Sequence, residues 1–153
     1  MSNREHYDPQ QCARAAAALH QTGTVVELRV LGTIRGTVSG YFDDLNELVE
    51  FAKRWSGQGS VYVTLNPVAP ELLARAKNRC INYAKHTTAD NDIAHRRWFG
   101  IDFDPKRPAG ISSTDAEHEA ALDRAKACRK QLREEGWPEP MFADSGNGAH
   151  LVY

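Results

Sequence analysis

The chain has 153 residues, 41% hydrophobic and 25% charged, a globular balance that excludes wholesale disorder and gives enough length for a core without disulfide or metal staples. Its 19 Lys and Arg residues against 20 Asp and Glu leave a formal net charge of −1, which excludes attachment to nucleic acid or membrane by bulk charge. Cys12, Cys80 and Cys128 form no CxxC pair, no run approaches the ~20 apolar residues of a membrane span, and residues 1–8 are polar, so a soluble cytoplasmic protein without a secretory signal is expected.

Asp8 as a cap, Pro9 at the first helical position and the Ala-rich stretch Cys12 to His20 predict a first helix, stopped at Thr22-Gly23. The β-branched run Thr24 to Val30 predicts a strand, residues 32–36 a turn, and Thr37 to Phe42 a returning strand. Asp43-Asp44 opens a second helix with Leu45, Leu48, Val49 and Ala52 on one face, ended by Gly57-Gln58-Gly59. Ser60 to Leu65 predicts a strand, Pro70 to about Arg79 a short helix, and residues 81–97 an irregular polar segment. Trp98 to Asp104 predicts a buried strand, followed by a stiff loop from Pro105 to Gly110. Thr114 and Glu117 form a capping box for a long helix to about Glu135, with Ala121, Leu122, Ala125, Cys128 and Leu132 along its apolar face. Met141 to Asp144 and Ala149 to Tyr153 predict a hairpin about the turn Ser145-Gly146-Asn147-Gly148. Helices and hairpins in this mixture predict an α+β fold.

Ile101-Asp102-Phe103-Asp104 carries the strongest chemical signal. Residues two apart on a strand share a face, so Asp102 and Asp104 point one way and Ile101 and Phe103 the other. Two adjacent carboxylates repel unless protons or a cation neutralise them, and oxygen ligands favour Mg²⁺ or Mn²⁺. The same spacing also suits a solvated edge strand with alternating acids. Ser145-Gly146-Asn147-Gly148 is the second signal: glycines let backbone N–H groups approach an anion, Ser145 and Asn147 add side-chain donors, and His150 follows just past the turn. Alone, that segment also reads as an ordinary Asn-Gly hairpin. Lys106 and Arg107 follow the Asp pair and are candidates for phosphate oxygens. His95, Arg96 and Arg97 make a local basic run. Asp90-Asn91-Asp92 lacks the glycine and closing glutamate of a calcium loop, and Cys80, His86 and His95 fit no zinc spacing. Trp55, Trp98 and Trp137 read as core or edge packing rather than stacking platforms.

With both motifs in view, the sequence resembles the archaeo-eukaryotic primase superfamily. It is most similar to the bifunctional primase-polymerase domains of phages, plasmids and other mobile elements. The stretch Trp98-Phe99-Gly100-Ile101-Asp102-Phe103-Asp104-Pro105-Lys106-Arg107-Pro108 resembles that family's first motif, and Ser145-Gly146-Asn147-Gly148-Ala149-His150-Leu151 its histidine-containing second. Val61 to Pro67 and Thr87 to Ile93 resemble the amino-terminal part of such domains.

The resemblance implies one primase-polymerase-like domain, with an amino-terminal α/β module over residues 1–97 packed with an RRM-like mixed sheet that starts over residues 98–153. It implies metal-dependent nucleotidyl transfer on a single-stranded DNA template, in the replication of a mobile element, with Mg²⁺ or Mn²⁺ as cofactor. Asp102 and Asp104 would hold the metal. His150 would meet the nucleoside triphosphate's phosphates, Gly146 to Gly148 would shape that pocket, and a replicative helicase domain or protein is a possible partner. Two positions depart from the pattern. Many relatives have serine where this chain has Gly148, and the family's third motif, another acid on a later strand, has no counterpart before Tyr153. A catalytic sheet incomplete at its carboxyl end, with little activity in these residues alone, is therefore expected. The competing expectation is a non-catalytic module that binds nucleotide or single-stranded DNA in replication initiation. A phosphatase or nuclease using the Asp pair ranks behind both, since Pro105-Lys106-Arg107-Pro108 is stiff and basic.

Overall fold

Alternation along Val26–Val30 decides the first sheet. Val26, Leu28 and Val30 are fully buried on one side of the strand, while Glu27 and Arg29 lie on the other. The computed structural model describes residues 8–108 and 111–153. Residues 1–7, and Ala109 and Gly110 of the expected loop, lie outside the described residues. Helices and antiparallel sheets make the protein α+β. The chain divides into two compact units, residues 1–97 and 98–153.

In the first unit, β1 (Val26–Thr33) and β2 (Gly36–Phe42) form a hairpin running in register from Val26 opposite Phe42 to Val30 opposite Val38. An irregularity between Val30 and Thr33 carries β1 past Gly32, so the turn is shorter than expected. The strand β3 (Ser60–Val63) pairs with the other edge of β1, and β4 (Arg79–Ile81) pairs with β2, giving the order β3-β1-β2-β4. Among the described residues of this unit there are two α-helices. For α1 (Pro9–Leu19) the Asp8 carboxylate accepts the N–H groups of Gln10 and Gln11, and for α2 (Leu45–Trp55) the Asp44 carboxylate accepts those of Asn46 and Glu47. Leu48 and Trp55 of α2 join Val26, Leu28, Val30, Val38 and Phe42 in one core cluster. Each fully buried aliphatic chain there contributes about 1.5–3 kcal/mol. A second cluster gathers Val25, Tyr41, Val68, Leu72 and Ala76.

The expected helix from Pro70 to about Arg79 is shorter. A 3-10 turn spans Pro70–Arg75, and the chain then enters β4. Asn78 makes the switch. Its backbone is left-handed (φ 46°), which asparagine tolerates. Its Oδ1 accepts the N–H of Asp43 at 3.1 Å, and its Nδ2 donates to the Asp43 carboxylate at 2.6 Å. Gly40 admits the new strand, because any side chain there would overlap the Arg79 carbonyl.

In the second unit, β5 (Gly100–Phe103), α3 (Asp115–Glu134), β6 (Met141–Asp144) and β7 (Ala149–Val152) follow in chain order, with β7 central in the order β5-β7-β6. The ladders of both sheets are antiparallel throughout, which narrows the expected mixed arrangement. Thr114 and Glu117 cap α3 reciprocally, as their spacing predicts. Ala121 and Ala125 of α3 are fully buried, as are Ala149 and Leu151 of β7, so the helix covers the sheet face that carries Ile101, Phe103, Ala149 and Leu151. Backbone bonds between Phe99 and Tyr153, both 2.9 Å, extend the β5–β7 ladder by one pair. Trp137 stands edge-on to Tyr153 and tilted against Phe99, the edge packing expected of it, whereas Trp55 is core. No helix among the described residues is long and apolar enough to cross a membrane.

Candidate functional site

The register of the second sheet brings the two motifs together. Asp102 of β5 lies directly opposite His150 of β7, which lies opposite Ala143 of β6. These three form a row on the face opposite the one α3 covers. Asp102 and His150 are both well exposed, and Asp102 Oδ1 sits 3.1 Å from His150 Nε2, an ion pair when the imidazole is protonated. Asp104 follows one residue past the end of β5, beyond its ladder with β7. Its backbone is fixed from α3, where Arg124 Nη2 donates to the Asp104 carbonyl at 2.8 Å. The Asp104 side chain is exposed and, among the described residues, has no Lys or Arg partner.

The turn after β6 is built differently from a bare anion nest. Ser145 N–H donates to the Gly148 carbonyl, Gly146 N–H to the Asp144 carboxylate at 2.7 Å, and Gly148 N–H to Ser145 Oγ at 3.0 Å. Asn147 Oδ1 accepts both the N–H and the hydroxyl of Ser113. Three of the four turn N–H groups thus close the turn itself. What remains for a ligand is the Asn147 backbone N–H, the Ser145 hydroxyl proton and the Asn147 side-chain Nδ2. Gly148 lies so close to β5 that a side chain there would overlap the Phe103 carbonyl. Replacing it with serine is expected to destabilise the second unit by about 2 kcal/mol. Hydrogen exchange of the β7 amides measures that loss directly.

Lys106 is exposed, while Arg107 Nη1 donates to the Ile111 carbonyl and so braces its own loop. The sequence reading missed a second pair. His118, in the first turn of α3, places Nε2 2.8 Å from Asp144 Oδ1. Asp144 stands on the α3 side of the sheet, opposite Ala149. The Gly146 N–H, and then His118, hold its carboxyl below the ordinary aspartate range. This pair locks the turn ahead of His150. The two residues are 26 positions apart, so only the fold joins them.

The donor chemistry of Asp102 and Asp104 suits a hard divalent cation that keeps several waters. Among the described residues no group of three or more His, Cys, Asp or Glu side chains is arranged to hold a metal, so the protein would supply only a partial shell there. Burial pushes the Cys80 thiol up to about 12. No protein-family model matches the chain, no curated protein matches it, and no solved structure matches it.

Proposed function

We propose that the chain is a metal-dependent nucleotidyltransferase domain of the primase-polymerase kind, acting on nucleoside triphosphates and single-stranded DNA. The observation that carries this reading is the cross-strand pair Asp102–His150, 3.1 Å apart on the face that α3 leaves open. Asp102 and Asp104 would hold Mg²⁺ or Mn²⁺. When bound, the ion would offset triphosphate charge and stabilise the attacking and leaving oxygens of an in-line displacement. Asp102 braces the His150 ring through Nε2, which leaves Nδ1 for a phosphate oxygen. Ser145 and Asn147 add neutral donors, and exposed Lys106 a cation. Arg107 contributes by holding the loop that carries Lys106.

Binding of a fluorescent deoxynucleoside triphosphate, followed by anisotropy with and without Mn²⁺, tests this. His150→Ala is expected to weaken binding at least about tenfold, the scale of one charge-assisted hydrogen bond. Equal affinity without metal and in the variant would contradict it. That outcome belongs to the second reading, a non-catalytic nucleotide or single-stranded DNA module. The partial ligand shell and the self-bonded turn favour that reading.

A further inference from the structure

Residues 75–86 of the first unit contain Arg75, Lys77, Arg79, Lys85 and His86 and no acidic residue, in a chain of net charge −1. Arg75, Lys85, His86, Ile81 and Tyr83 line a cleft of about 630 Å³. Among the described residues neither Arg75 nor Lys85 has a carboxylate partner, and both are exposed. Lys77, outside the cleft, is the one that pairs, with Asp43 at 3.8 Å. Arg75 is set in place by Tyr41, whose hydroxyl accepts from Nη1 at 3.3 Å and whose ring lies 5.9 Å from the guanidinium carbon.

Tyr83 is the unusual residue. It is 67% exposed, yet its backbone is left-handed with φ 52°, a conformation uncommon outside glycine and costly for a bulky side chain. The fold holds it there on both sides. Its N–H donates to the Arg35 carbonyl at 3.0 Å, and the Ala84 N–H to the Thr37 carbonyl at 2.8 Å. Its ring lies against Gly36, where an added side-chain carbon would stand only 3.1 Å from Tyr83 Cδ1. Strain of this kind persists where the surroundings over-determine it, and it clusters at ligand sites. Here it presents a fixed aromatic ring to solvent between unpaired cations.

We propose that this cleft is a binding site for single-stranded nucleic acid, with a base stacked on Tyr83 and the flanking phosphates met by Arg75 and Lys85. An aromatic platform inside a positive groove fits that ligand, because every base offers a π-face and every linkage a charge. A duplex keeps its bases stacked inside and offers Tyr83 nothing to receive. The site is built from residues of the first unit alone and needs no metal.

The test is anisotropy of a labelled ~12-nucleotide oligothymidine with the full chain in EDTA. Tyr83→Asn, which suits the left-handed backbone, is expected to weaken binding about tenfold, while Tyr83→Phe retains it. Lys85→Ala, an exposed change that cannot unfold the chain, is expected to lower the slope of log affinity against log salt by about 0.7. Wild-type affinity in Tyr83→Asn, an unchanged slope in Lys85→Ala, or equal affinity for a duplex of the same length would each overturn the proposal. The titration runs in EDTA, so a failure of metal binding at Asp102 and a failure here are told apart.

Discussion

Arg29→Met is expected to destabilise the first unit by about 3 kcal/mol, on the order of a hundredfold in its folding equilibrium. Glu27 is 1% exposed on the polar side of β1. Its carboxylate accepts from Arg29 Nε at 3.2 Å and Nη2 at 2.7 Å, from Ser39 Oγ at 2.5 Å and from the Thr88 N–H at 3.0 Å. Arg29 Nη2 also donates to the Thr88 carbonyl, which ties the segment before Asp90 to the sheet. Burial alone would raise the Glu27 carboxyl, but the bonds from Arg29, Ser39 and Thr88 outweigh it and hold the group below the ordinary glutamate range. A depressed acid stabilises the fold above its unfolded value, about 4.3, and that contribution disappears as pH falls through the folded value. In Arg29→Met the first of the bonds that lower the Glu27 carboxyl is lost, so the stabilisation it gives above about 4.3 shrinks. Glu27→Gln costs less, because Arg29 reaches solvent with 30% of its side chain exposed. Native-state exchange of the β1 amides at two pH values reads this unit alone. Parent-like stability in Arg29→Met would show that the pair is incidental.

The second large effect concerns metal. Asp102→Asn combined with Asp104→Asn is expected to weaken Mn²⁺ binding by at least about a hundredfold, because both charges of the partial shell disappear while their shape stays. Both side chains are exposed, so the fold should change by less than about 1 kcal/mol, the scale of the surface pair with His150. Calorimetry on parent and variant separates ligand loss from unfolding. Unchanged affinity would remove these residues from any metal site.

Local signals were legible where a segment decides its own structure. The capping box of Thr114 and Glu117, the Asp8-Pro9 helix start and the alternation of β1 all read directly from neighbouring residues. The parity that sets Asp102 on the face opposite Ile101 and Phe103 was legible for the same reason. Three features were not. The strand β4 has only Arg79, Cys80 and Ile81, too short for a pattern, and exists because Gly40 admits the Arg79 carbonyl. Glu27 stands inside a β-branched run, and its partners Ser39 and Thr88 lie 12 and 61 residues away. The turn's glycines promised open N–H groups, whereas Asp144, Ser145 and Gly148 use most of them to close the turn. Even the Asp102–His150 pair, foreseeable as neighbouring strands, depended on a register that no single segment encodes.

Paramagnetic broadening by Mn²⁺ in an NMR titration locates directly a divalent ion proposed to be held at Asp102 and Asp104 beside His150. The His150 ring signals and the amides of Asp102 and Asp104 are expected to broaden first, before those of His20 and His86, and the double asparagine variant to lose this pattern. Broadening that is uniform, or strongest at another acidic segment such as Asp43-Asp44 or Asp90–Asp92, would contradict it.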